Sequence, residues 1–251
     1  MSAPDRFEYL LRLGDNALIL SHRLSEWCGH GPALEEDIAL TNVALDLLGQ
    51  AQLWLGLAGE IEASGRSADD LAYRRDAAAF RNALLVERPN GDYAHTLMRQ
   101  FLFDAWHIEL IGALTKSGDA RIAEIAAKAQ KEVAYHVERS AELTIALGDG
   151  SDESHARMQA ALDSLWSYTG ELFVGDAVDE RLAQAGVAPA AQSLKPAWIA
   201  TLDSVFAEAT LKTPESSFAH KGGRSGRHTE ALGYILAEMQ FLPRAYPEAR
   251  W

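Results

Sequence analysis

The chain has 251 residues, of which 43 are Ala and 33 are Leu, against 8 Val and 10 Ile. Ala and Leu lose little side-chain freedom in a helix, whereas the scarce β-branched residues favour strands, so the composition excludes a large sheet and predicts an all-α fold. The net charge of −13 argues against a nucleic-acid backbone or an anionic membrane surface as the main partner, because both select basic patches.

Cysteine use and hydropathy bear on the compartment. The single cysteine, Cys28, excludes an intrachain disulfide and is typical of a reducing environment. The N-terminal segment lacks the layout of a signal peptide, and no stretch approaches the roughly 20 uninterrupted apolar residues of a membrane helix. We therefore expect a cytoplasmic protein.

Apolar residues at three- and four-residue spacing predict a series of helices, separated by clusters of Gly, Pro and Asn. In chain order the predicted segments are about 6–27, 33–63, 71–85, 93–116, 119–147, 152–173, 178–185, 195–211 and 229–242. Four of the first five are 22 residues or longer, which is typical of four-helix bundles.

This pattern predicts one helical domain over residues 1–251, built on a four-helix bundle. Its core bundle would span about 6–147, with additional helices over about 152–245. The basic, glycine-rich run 221–228 is the clearest long loop.

A bundle of this kind could hold a di-iron centre. Such a centre needs a carboxylate from each of two helices and a Glu-x-x-His pair from each of the other two. The mid-bundle positions on the inward faces are Leu20, Leu47, Gln50, Asp104, Val133 and His136. Only two of these six side chains, Asp104 and His136, could bind a metal, so we predict neither a metal site nor a catalytic residue in this chain.

A shifted ligand set is the alternative. It would use a different register, with Asp46, Asp104, His107, Glu132 and His136 as ligands, because the spacings Asp104–His107 and Glu132–His136 each allow a shared helix face. Glu132 falls on the flank of its apolar stripe, so this set is strained. We favour a structural polar pair between Asp104 and His136 (or His107), since a buried carboxylate needs a hydrogen-bonding partner.

Six motifs follow one another along the chain. They are LGDN at 13–16, EWCGH at 26–30, LDLLGQA at 45–51, VERPNGD at 86–92, DAWH at 104–107 and HTEALGYILAEMQ at 228–240. Together they closely resemble the C subunits of bacterial phenylacetyl-CoA 1,2-epoxidases. The resemblance runs from near the N-terminus to the end of the chain.

The resemblance implies a ferritin-like, non-catalytic subunit of a multicomponent monooxygenase in phenylacetate catabolism. Such a subunit is similar in fold to the catalytic A subunit, pairs with it in a heterodimer or A2C2-type assembly, and lacks a functional di-iron centre. The resemblance also implies that the catalytic relative carries its Glu, Glu-x-x-His, Asp and second Glu-x-x-His at the six positions given above.

The resemblance further implies the reaction of the whole complex. The complex would epoxidise the aromatic ring of phenylacetyl-CoA with O2 and NADPH, the electrons arriving through a separate reductase that holds flavin and an iron–sulfur cluster. No cofactor is expected in this chain itself.

A locally basic stretch, 74–82, could contact the acyl-CoA. Arg can bind phosphates and an aromatic ring can stack on adenine, which makes Phe80, Arg81 and Asn82 candidate contacts for CoA or for the partner's substrate channel. A solvated helix face is the competing interpretation. For the chain as a whole, two alternatives remain: an active di-metal oxygenase or ferritin-like oxidase that uses the shifted ligand set, and a free-standing helical binding protein.

Overall fold

The computed structural model describes residues 2–249. Over these residues it contains no strand and ten α-helices, so the all-α fold class predicted from the sequence is confirmed. The helices are α1 (Ala3–Ser25), α2 (Leu34–Glu62), α3 (Ala68–Tyr73), α4 (Tyr93–Leu114), α5 (Ala120–Gly148), α6 (Asp152–Leu165), α7 (Ala177–Gln184), α8 (Lys195–Glu208), α9 (Glu230–Met239) and α10 (Phe241–Ala245). None of them is long and apolar enough to cross a bilayer.

The first of two compact units comprises residues 2–88 and 222–249, with α1, α2, α3, α9 and α10. Its centre is the pair α1 and α2, which pack side by side. A Cβ added at Gly14 would meet Leu55, and the Ser21 hydroxyl donates a hydrogen bond to the Ala44 carbonyl over 2.7 Å. Later residues of α1 therefore meet earlier residues of α2, which makes the pair antiparallel.

The second unit comprises residues 89–221, with α4 to α8. Helix α4 packs against α5, α6 and α8. The Trp198 indole donates to the Leu102 carbonyl over 3.0 Å, and the rings of Phe101 and Phe206 meet edge to face at 5.8 Å. A buried aromatic with a satisfied polar group fixes a contact more tightly than apolar packing alone, so α4 is held firmly within this unit.

The four longest helices are divided evenly between the units. Each unit supplies one long pair, α1 with α2 and α4 with α5, and together these are the four long helices that the ferritin-like class requires. The predicted single domain over residues 1–251 stays a prediction.

The helix predicted over 71–85 is wrong. Helix α3 ends at Tyr73, and the chain continues through a short 3-10 turn at Ala77–Ala79 into irregular backbone. The reason is long-range: the Arg81 amide donates to the Asp15 carboxylate over 2.8 Å, and the Ala83 amide to Asn16 Oδ1 over 2.8 Å. These backbone donors are satisfied by α1 side chains rather than by helix carbonyls.

The helix predicted over 152–173 is too long. Helix α6 ends at Leu165, and two 3-10 turns follow at Trp166–Tyr168 and Gly170–Phe173. The Ser167 carbonyl accepts from the His220 amide over 2.8 Å, so a distant segment takes the bond that a continuing helix would use. The loop predicted at 221–228 is confirmed, with one 3-10 turn at Gly223–Ser225.

Candidate functional site

Asp104 is the centre of a buried polar cluster in the second unit. It lies on α4 and is fully buried. One carboxylate oxygen accepts from the Gln100 side-chain amide over 2.7 Å, and the other accepts from the Ser140 hydroxyl over 2.9 Å. Ser140 lies one turn beyond His136 on α5, so Asp104 contacts the helix face on which His136 stands. A direct Asp104–His136 pair stays a prediction.

The protonation of Asp104 follows from its burial. Removal from water raises the pKa of this carboxyl to about 7, against the opposing effect of the hydrogen bonds from Ser140 and Gln100 and the charge of Arg139. The folded protein therefore favours the protonated form of this carboxyl up to a higher pH than an exposed carboxylate would allow.

His107 stands one turn beyond Asp104 on the same helix and is also buried. Burial, with a smaller contribution from the nearby His136, lowers the pKa of this imidazole to about 3, so His107 is neutral. Its ring lies 5.0 Å from that of Phe103 and is stacked at 6.3 Å on that of Trp106. His107 Nδ1 has no protein partner within hydrogen-bonding distance among the described residues.

The other positions expected to match iron ligands are buried and mostly apolar. In the first unit Leu20 and Leu47 are fully buried and Gln50 is almost so, and in the second unit Val133 is fully buried. Aliphatic side chains cannot coordinate iron. Among residues 2–249 no group of three or more His, Cys, Asp and Glu side chains is arranged to hold a metal ion. The residues present therefore do not fit a di-iron centre.

The five side chains of the shifted ligand set are not equally buried. Asp46 on α2 and Glu132 on α5 are both half-buried, whereas Asp104, His107 and His136 are buried. The donors of this set therefore differ in depth, which agrees with the expectation that Glu132 lies on the flank of its stripe.

A second buried polar network lies in the first unit and joins α1 to the segment 74–88. The guanidinium of Arg75 forms two hydrogen bonds with the Asp15 carboxylate, one of them 3.0 Å long, and both side chains are buried. The same guanidinium stands 4.3 Å above the ring of Phe80. A bidentate pair with a stacked aromatic holds the segment firmly against α1.

Glu87 ties the loop 221–228 to this network. Its buried carboxylate accepts from His228 Nδ1 over 2.8 Å, from the Asn82 amide over 2.9 Å, and from both the hydroxyl and the backbone amide of Thr229. The other ring nitrogen of His228, Nε2, faces the Phe80 carbonyl at 3.0 Å. Since both ring nitrogens face acceptors, the imidazolium form satisfies both.

The pKa of His228 reflects this arrangement. Burial alone would lower it, and is the largest single effect. The hydrogen bond and charge of Glu87, the Phe80 carbonyl and the charge of Asp15 together outweigh burial and raise the pKa above its ordinary value of 6.5.

The candidate CoA contacts belong to this network. Phe80 and Asn82 are fully buried, whereas Arg81 is half-buried, and its Nε lies 3.0 Å from the Glu8 carboxylate. Of the three, only Arg81 reaches the surface. Their contact with CoA or with a partner stays a prediction.

Sequence reasoning missed the partners in this network. Asp15, Glu87 and His228 all lie in motifs quoted for the resemblance, but nothing in their spacing shows that they meet. One signal was available: Asp15, with Arg12 and Asn16, is one of three strongly polar residues in the otherwise mostly apolar stretch between Tyr9 and Leu20. A charged residue in the core face of a helix needs a buried partner of opposite charge.

Two comparisons with known proteins agree with one another. A family model described as "Phenylacetic acid catabolic protein" matches residues 2–251. The C subunit of the 1,2-phenylacetyl-CoA epoxidase of Escherichia coli (strain K12) is 48% identical over 243 residues, which is 97% of this chain and 98% of that protein.

Proposed function

Starting from the membership of this chain in the phenylacetic acid catabolic protein family, we propose that it is the non-catalytic structural subunit of a phenylacetyl-CoA epoxidase. In this role it binds and stabilises a catalytic di-iron A subunit. That subunit epoxidises the aromatic ring with O2 and with NADPH electrons, which a separate flavin and iron–sulfur reductase delivers.

One observation carries the non-catalytic assignment. Positions expected to hold iron ligands in a catalytic relative are occupied by the buried aliphatic side chains Leu20, Leu47 and Val133. The remaining carboxyl, Asp104, is engaged by Gln100 and Ser140 and has a pKa raised to about 7. Iron prefers anionic oxygen ligands, so this donor set supports packing rather than oxygen chemistry.

The test is reconstitution with the catalytic subunit from the same organism. The two chains are co-expressed, separated by size, and assayed for turnover of phenylacetyl-CoA with the reductase and NADPH. We expect the two chains to form a stable complex. We also expect the catalytic subunit to lose solubility or activity when it is expressed without this chain. A chain that stays monomeric beside the catalytic subunit would contradict the proposal.

A Glu132→Ala variant distinguishes the competing di-metal oxygenase. Glu132 is a ligand in the shifted set and a half-buried side chain on the flank of α5 in the structural interpretation. We expect the complex with this variant to keep most of its activity. Loss of turnover with an intact complex would support catalysis by this chain.

A further inference from the structure

The outer face of α2 carries an exposed apolar stripe, which we call the outer stripe. Four large aliphatic side chains form it, with exposed fractions of 71% for Leu34, 52% for Ile38, 59% for Leu45 and 37% for Leu48. At 100° per residue these positions fall within an arc of about 80° on one side of the helix. They are therefore one continuous surface.

The inner face of the same helix is already used. Leu40, Val43, Leu47, Ala51 and Trp54 are buried within the chain. A helix that is apolar on both faces is typical of one that is buried on both sides. Among residues 2–249, other parts of the chain cover only one of these two faces.

Two glycines extend the stripe, and no neighbouring group among the described residues requires glycine at either position. Gly49 and Gly56 lie within or at the edge of the same arc, and a Cβ at either position would meet nothing within 4 Å. Glycine in the interior of a helix is less stable than alanine. No close approach inside the described chain compensates for that cost, whereas close approach of another helix would.

The spacing indicates what would fit. Positions 34, 38, 41, 45, 48 and 52 alternate steps of four and three residues, the seam along which two helices pack at a small crossing angle. Four of these positions are aliphatic, and the uncharged polar residues Thr41 and Gln52 occupy the other two. From residue 34 to residue 56 the stripe is about 33 Å long. It carries no charged side chain over that length, so the matching surface is a helix with its own apolar seam.

The charges at one end select the kind of partner. Glu35, Glu36 and Asp37 form the first turn of α2, beside the start of the stripe. A second copy of this chain would bring the same acidic turn and a further net charge of −13. A different subunit, whose helix carries Lys or Arg near this end, gains attraction instead.

We propose that the outer stripe of α2 is the docking surface for a helix of the catalytic subunit. The proposal rests on the proposed function, because it assumes that this chain joins such a complex. The partner helix has apolar residues at three- and four-residue spacing and basic residues opposite Glu35.

The test measures binding of the purified catalytic subunit to the full chain by calorimetry and by size separation. A Leu45→Asp, Leu48→Asp double variant introduces charge into the stripe, and Gly49→Leu blocks close approach. Both changes lie on an exposed face, so thermal unfolding of the chain alone should change little. The matched control is Ile199→Asp, a single exposed aliphatic side chain on α8.

We expect each stripe variant to weaken binding by at least about 30-fold and the control by less than about 3-fold. Milder Leu45→Ala and Leu48→Ala variants keep the test valid if the charged variant folds poorly. If the stripe variants bind the catalytic subunit as tightly as the wild-type chain does, the docking surface is wrong and the proposed function is unaffected.

Two further outcomes have separate meanings. If the wild-type chain does not bind the catalytic subunit, the proposed function fails and the docking surface with it. If the chain alone forms a dimer that Leu45→Asp, Leu48→Asp abolishes, the occupant is a second copy and the proposed partner is wrong.

Discussion

At the scale of single residues, burial and hydrogen bonding decide which polar side chains are charged. Asp104 and His228 are opposite cases. Asp104 is buried with neutral donors, and burial raises its pKa to about 7. His228 is held between the Glu87 carboxylate and a carbonyl, which raise its pKa against burial. The apolar pattern around Asp104 was enough to predict its burial, whereas the His228–Glu87 pair joins residues 141 apart in sequence and left no periodic signal.

The Asp104→Asn substitution tests the first case. The carboxyl ionises near pH 3.8 when unfolded and near pH 7 when folded, so the wild type loses stability as the pH rises between those values. In urea unfolding, we expect the free energy of unfolding of the variant to rise relative to that of the wild type between pH 4.5 and pH 8. The rise should amount to as much as about 4 kcal/mol. Asp203→Asn, at an exposed position, is the control; a pH-independent difference for Asp104→Asn would argue against a raised pKa.

For the His228–Glu87 pair we expect a stabilising contribution at low pH, whereas burial of ionised Asp104 destabilises the fold at high pH. The pKa of His228 is raised in the folded state, so its contribution is fully present below pH 6.5 and is lost as the pH rises through the folded value. A Glu87→Gln substitution should cost about 3 kcal/mol at pH 6, because it leaves a buried imidazolium without its counter-charge. Equal stability of the two proteins at pH 6, measured by urea unfolding, would show that the pair contributes nothing.

At the scale of elements, α2 shows that apolar spacing can predict which residues of a helix are buried. Its inward residues follow the predicted three- and four-residue spacing, and Leu47 and Gln50 lie buried where that spacing puts them. The segment 71–85 has a similar local composition but is not a helix, because Asp15 and Asn16 on α1 take its backbone amides. Local spacing determines a face only where no distant side chain competes for the backbone.

Two leucines on α2 test the difference between its faces. Leu47 is fully buried and Leu45 is 59% exposed, so the same deletion of methyl groups has different consequences. We expect Leu47→Ala to destabilise the chain by about 2–5 kcal/mol and Leu45→Ala by less than about 0.5 kcal/mol. Thermal and urea unfolding of the isolated chain measure both, and comparable losses would mean that the outer face is covered within the chain itself.

At the scale of the whole molecule, the chain combines the all-α class of its family with buried aliphatic side chains at Leu20, Leu47 and Val133. The all-α class and the family were predictable, since composition, periodicity and six ordered motifs agree with each other. The outer stripe of α2 was not predicted, because spacing alone does not distinguish a helix covered on one side from a helix covered on both. The exposed fractions of the side chains distinguish these two cases, because they show that the outer face of α2 is uncovered among the described residues. This exposure is the reason for proposing a partner helix at that face.

Iron content tests whether this chain is a non-catalytic subunit. The chain is purified alone from iron-supplemented cells, and the complex with the catalytic subunit is purified in parallel; iron and protein are then quantified in both. We expect iron far below one equivalent in the chain alone and about two irons per catalytic subunit in the complex. About two tightly bound irons in the chain alone, lost together with epoxidase activity when Asp104 or His136 is substituted, would contradict it.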